Sequence, residues 1–121
     1  MNIEHLSQEW ITAVERVETS SDQNHSAIDY VFDLHLDGKY DELWRFIKHA
    51  HSQKPSDKVV AVLAAGPLED LLAGSGDTYI DEIATLARKD PRFKNLLGGV
   101  WQNSMSDALW AKVNEIRGSG W

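Results

Sequence analysis

Five histidines, two adjacent carboxylates and a serine between glycines are the residues in this chain whose types could do chemistry. His49 and His51 carry donors that bind metals, but positions two apart on a helix point about 200° apart, so the pair cannot share one ion. They read as exposed histidines near a helix end. His5, His25 and His35 are scattered and lack a ligand spacing such as His-Glu-x-x-His. No metal site is predicted. Glu69 and Asp70 could serve as the acid and base of a hydrolysis. Helix neighbours diverge by about 100°, however, and carboxylates in a first helical turn already complement the dipole. The use expected of the pair is instead that one of them, Glu69, hydrogen-bonds across to the loop at 98–103. Ser75, within Gly74-Ser75-Gly76, lacks the surroundings of a nucleophile elbow and reads as a flexible turn. Neither Gly-x-Gly-x-x-Gly nor Gly-x-x-x-x-Gly-Lys occurs, so no phosphate cradle and no nucleotide cofactor is expected. The absence of cysteine excludes a thiol nucleophile, a disulfide scaffold and thiolate zinc. No catalytic residue and no cofactor is predicted.

The elements that would position these groups follow from apolar spacing, which is helical almost throughout. Ile3, Leu6, Trp10, Val14 and Val17 form one stripe. A second helix starts near Ser26 and carries Ile28, Val31, Phe32 and His35 inward until Asp37-Gly38 stops it. A third covers 40–51, with Leu43, Trp44 and Ile47 inward. Asp57 caps a helix that Gly66-Pro67 breaks, with Pro67 opening a new one. Gly74-Ser75-Gly76 ends that helix and Asp77 caps the next, which buries Ile80, Ile83, Ala84 and Ala87. Asp90-Pro91 and Ser106 start the last two, the final one burying Leu109, Trp110, Val113 and Ile116. No run alternates like a strand; 58–63 comes nearest, and its alanine-rich continuation favours helix. The prediction is an all-α single domain over 1–121 with six to eight short helices, in which 1–24 is an N-terminal helix plus polar linker and 25–121 is the helical body. A likeness between 41–47 and 107–113 suggests stacked helix pairs. Trp10, Trp44 and Trp110 are expected to be buried.

At 121 residues the chain is one domain's worth, and its net charge of −7 is unevenly spread. Residues 1–42 hold ten acidic side chains against Arg16 and Lys39, and the remainder is close to neutral. Such a surface repels phosphate backbones and anionic membranes and attracts a basic protein. The N-terminus has no export signal and no stretch reads as a membrane span, so a cytoplasmic protein is expected. Arg88, Lys89, Arg92 and Lys94 form one basic corner without interleaved stacking aromatics.

The strings Leu63-Ala64-Ala65-Gly66-Pro67-Leu68-Glu69-Asp70-Leu71-Leu72, Asp90-Pro91-Arg92-Phe93 and Leu96-Leu97-Gly98-Gly99-Val100-Trp101 resemble a family of small uncharacterised bacterial helical proteins. The likeness covers roughly 44–113. It implies a bacterial, cytosolic, all-helical protein and carries over no catalytic residue.

The functional expectation is a non-enzymatic interaction protein, of the kind that neutralises a basic toxin by covering its surface. Candidate contacts are Asp29, Asp33, Asp37, Asp41 and Glu42, the first three sharing one helix face. The first alternative is a small enzyme or ligand-binding protein with a pocket or interface built from Gly66, Glu69, Asp70, Gly98, Gly99, Trp101, Gln102 and Asn103. There, Trp101 either fills a core gap or faces a partner. The second is a structural subunit that self-associates through tryptophans.

Overall fold

The computed structural model describes residues 2–16 and 26–118. Val17, the linker at 19–24 and His25 lie outside the described residues. Three polar residues set helix starts in the second half. Ser56 Oγ accepts from the Val59 N–H, Asp90 Oδ1 accepts from the N–H groups of Arg92 and Phe93, and Ser106 Oγ accepts from the Leu109 N–H. The cap before Asp57 is therefore Ser56. The elements are α1 (Ile3–Arg16), α2 (Ser26–Leu36), α3 (Tyr40–Ser52), α4 (Asp57–Leu63), a π-helical turn (Ala64–Leu68), α5 (Glu69–Lys89), α6 (Pro91–Leu97) and α7 (Asp107–Arg117). Every element among the described residues is helical, and the fold is all-α as the spacing predicts. Gly38, at φ +71°, ends α2 where Asp37-Gly38 was expected to.

The expected break at Gly66-Pro67 is absent. Proline lacks an N–H, and its ring crowds the carbonyl four residues back, so a regular α-helix cannot pass through it unstrained. Here the turn widens instead. The Glu69 N–H reaches the Ala64 carbonyl five residues back, and α4 runs through Pro67 into α5. Gly66 keeps a helical backbone. Gly74-Ser75-Gly76 likewise bends α5 without ending it. Only Ser75 leaves helical geometry, at φ −148° and ψ 29°, and Asp77 caps nothing. The resulting run Asp57–Lys89 is long and apolar enough to span a bilayer by length and composition, contrary to expectation, and half of its apolar window is buried within the fold.

Helices α1, α2, α3 and α4 pack together on one side, α5, α6 and α7 on the other, with α3 against α5 joining them. Trp10 and Phe46 meet edge-to-face at 5.3 Å in the first group. Trp44 packs on Phe93 at 5.9 Å across the join, and its indole N–H donates to Glu82 at 2.7 Å. Trp10 and Trp44 are buried as expected, whereas Trp110 is only half-buried beneath the Arg117 guanidinium. On α2 the inward face is Ala27, Val31 and Leu34. Phe32, expected inside, is 52% exposed. His51, expected outside, is 7% exposed; its ring packs on Phe93, and Nε2 donates to Asp90 at 2.9 Å.

Candidate functional site

The turn of α2 explains why Phe32 faces outward. At about 100° per residue, Ala27, Val31 and Leu34 fall on one arc, Ile28 and Phe32 on its shoulder, and Leu36 beyond them. The apolar arc of α2 is thus wider than its contact with α1 and α3. Its surplus edge borders a groove of about 450 Å³. Trp10 and Val14 of α1 line it, with Ile28, Val31 and Phe32 from α2 and Ala61 and Val62 from α4; Gly66 and Pro67 of the π-turn complete the apolar lining. Phe32 and Val62 stand partly in solvent on its rim, and Leu36, 63% exposed, continues the apolar edge along α2. Open apolar surface of this kind makes the groove the candidate site for contact with another molecule.

Two ionisable side chains line the groove, Lys58 and Asp70. The Lys58 ammonium is tied back to the Glu15 carbonyl at 3.2 Å. Asp70 is half-buried, and its carboxylate receives no hydrogen bond among the described residues. Burial pushes its pKa up, the nearby His35 opposes this, and Glu69 adds to it. His35 is itself held by the Tyr40 hydroxyl at 3.2 Å from Nδ1. The continuous helix also removes the expected dipole role of Asp70, because no helix begins at Glu69 and the turn's N–H groups are already engaged.

Glu69 and Asp70 diverge by about 100° around the helix and meet different neighbours. Glu69 reaches the loop after α6 as expected: Oε2 accepts the Trp101 N–H at 3.3 Å and Oε1 the Asn103 side-chain amide at 2.8 Å. From the far side Arg117 donates to the Val100 carbonyl at 2.8 Å and to that of Gly98 at 3.4 Å. Gln102 binds within the loop, to the Met105 carbonyl and to Asp107. Gly98 and Gly99 are buried. Trp101 does not fill a core gap: it is 74% exposed. The two halves of the suggested pocket are thus bonded directly to each other through Glu69, while Gly66 and Asp70 line the groove beside α1 and α2.

Asp29, Asp33 and Asp37 are all exposed. The stripe lies beside the groove's edge, because Leu36 sits about 20° and Phe32 about 60° from Asp29 around the helix. Asp41 is committed elsewhere, accepting from the Tyr79 hydroxyl, and Glu42 is half-buried. Burial and that bond push the Tyr79 pKa up to about 12. The groove itself was missed because its walls come from three segments far apart in sequence. The available signal was the breadth of the apolar arc on α2.

No curated protein and no solved structure matches the chain. A family model described as a family of unknown function (DUF6869) matches residues 15–120, nearly the whole length, and the chain belongs to that family.

Proposed function

We propose that this protein is a non-enzymatic interaction module that binds a basic partner through the α1–α2–α4 groove and the aspartate stripe beside it. The observation that carries the reading is the placement of Phe32 and Leu36 on the same helix as Asp29, Asp33 and Asp37, apolar edge next to acidic edge. Apolar contact supplies affinity at such a surface, and the carboxylates steer an oppositely charged partner and set its orientation. A bacterial, cytoplasmic protein that neutralises a basic toxin by covering it is the finer form of this proposal, supported by the small size of the chain and its acidic first third.

The test places a photo-crosslinking amino acid at Phe32, Val62 or Trp101 in turn, in the native host. Crosslinks at 32 and 62 to one basic protein, weakened by Asp29→Asn, Asp33→Asn and Asp37→Asn together, are the expected result. Crosslinking at 101 alone moves the interface to the loop after α6 and overturns the reading.

A further inference from the structure

The Asp70 carboxylate is the acidic group of an otherwise largely apolar groove. It is half-buried among Val31, Phe32, Val62 and Pro67, accepts no hydrogen bond among the described residues, and has lost the helix-start role that its sequence position suggested. Half-burial there disfavours the ionised form, because the part of its hydration that is given up is not replaced by a donor among the described residues. A perturbed ionisable side chain in a cleft is a candidate contact for a ligand. The other ionisable side chain in the groove, Lys58, already donates to the Glu15 carbonyl, so Asp70 is the groove side chain open to a donor from an occupant.

Resting on the reading of the groove as an interaction site, we infer that Asp70 is its specificity residue: the occupant is an amphipathic helical segment of a protein partner that sets one lysine or arginine, within its apolar face, against the Asp70 carboxylate. The apolar walls fit the flanking side chains of such a segment, and the stripe of Asp29, Asp33 and Asp37 matches the basic residues on its outer flank. A charge-assisted hydrogen bond formed on binding replaces the water of the half-buried carboxylate, and a segment without the cation buries it with no donor. Discrimination between the two therefore rests largely on Asp70.

The probe is a designed amphipathic peptide of about 18 residues, long enough to form helix, with one lysine inside its leucine stripe; its control carries norleucine there. Both are titrated calorimetrically into the full chain. The wild type is expected to prefer the lysine peptide by about tenfold, and Asp70→Asn to abolish that preference while melting no lower than the wild type. Gly66→Leu, which fills the groove from a helical position with open space around it, is expected to weaken both peptides. An undiminished lysine preference in Asp70→Asn, or none in the wild type, overturns the role of Asp70; loss of binding in Gly66→Leu then leaves the groove reading standing. Failure of both peptides to bind overturns both readings. So does a dimer of the chain alone that Gly66→Leu dissociates, since a second copy then fills the groove.

Discussion

Glu69 holds the backbone of Trp101 while the indole stands in water: the Trp101 N–H lies 3.3 Å from Oε2 of a carboxylate that is itself only 6% exposed. The second oxygen takes the Asn103 amide, so one side chain of α5 organises the loop after α6.

Glu69→Ala leaves both donors without an acceptor in a half-buried site, and it is expected to cost about 1–3 kcal/mol. Glu69→Gln retains one acceptor and loses less. Urea denaturation midpoints of the two variants check the order; an alanine variant as stable as the wild type would show that the loop is held by Arg117 alone.

Two glycines of the same long helix are expected to respond with opposite signs. Gly66 has a helical backbone and open space where a Cβ would sit, so Gly66→Ala is expected to stabilise by about 0.5–1 kcal/mol. A Cβ at Gly74 collides with the Tyr40 phenol, which holds His35, so Gly74→Ala is expected to destabilise by about 1–3 kcal/mol. Thermal unfolding of the pair decides; a loss at 66 would restore a helix break there.

His51 and Asp90 predict an acid-sensitive contribution to stability. The hydrogen bond from His51 holds the Asp90 carboxyl below its usual range; burial opposes this and the Phe93 and Arg92 N–H groups reinforce it. A lowered folded-state value means that the stabilisation is complete above the ordinary carboxylate pKa and is lost as pH falls through the folded one. Asp90→Ala is expected to cost about 1 kcal/mol at neutral pH through the lost cap alone, and its deficit should shrink on acidification. Denaturation curves from neutral to acidic pH measure this. A deficit that does not change with pH would separate Asp90 from its charge.

For Asp70 the sign reverses. Its folded-state value is raised, so stability is greatest below the unfolded value and falls as pH rises through the folded one. Asp70→Asn removes that loss and should raise the melting temperature at neutral pH, with the gain vanishing in acid. A wild type at least as stable as the variant at neutral pH would contradict the desolvation of this carboxylate.

Helix existence was legible wherever apolar spacing and caps agreed. Asp90-Pro91 and Ser106 start helices where their types predicted, and Trp10 and Trp44 lie on buried stripes. The failures came where a local rule met tertiary packing. Pro67 and Gly66 are breakers by type, yet one widened turn, anchored in the core through Ala64, Pro67 and Leu68, absorbs them. Phe32 and His51 were misplaced because periodicity shows which residues share a face and not how much of that face a neighbour covers. His51 went inside because Asp90, 39 residues away, supplies its acceptor. Of the candidate site, the Glu69 contact and the aspartate stripe could be read locally. The groove could not, since it exists only once α1, α2 and α4 meet.

The π-helical turn also corrects the phase of the long helix. One buried seam along it runs through Val59, Leu63, Leu68, Leu72, Gly76, Ile80, Ile83 and Ala87, with steps of three or four except across the widened turn, where the step is five; Ala64, Pro67, Glu69, Leu71 and Tyr79 are buried beside it. The widened turn takes up the extra residue and keeps one continuous seam against the core on both sides of Pro67. Removing a single residue there, such as the exposed Ala65, would make the step across the turn four, the ordinary α-helical spacing, and the downstream seam would keep its phase. What would be lost is the room for the proline ring, which in a regular turn crowds the carbonyl four residues back. The spare residue is thus what lets a proline sit inside this long helix without breaking it.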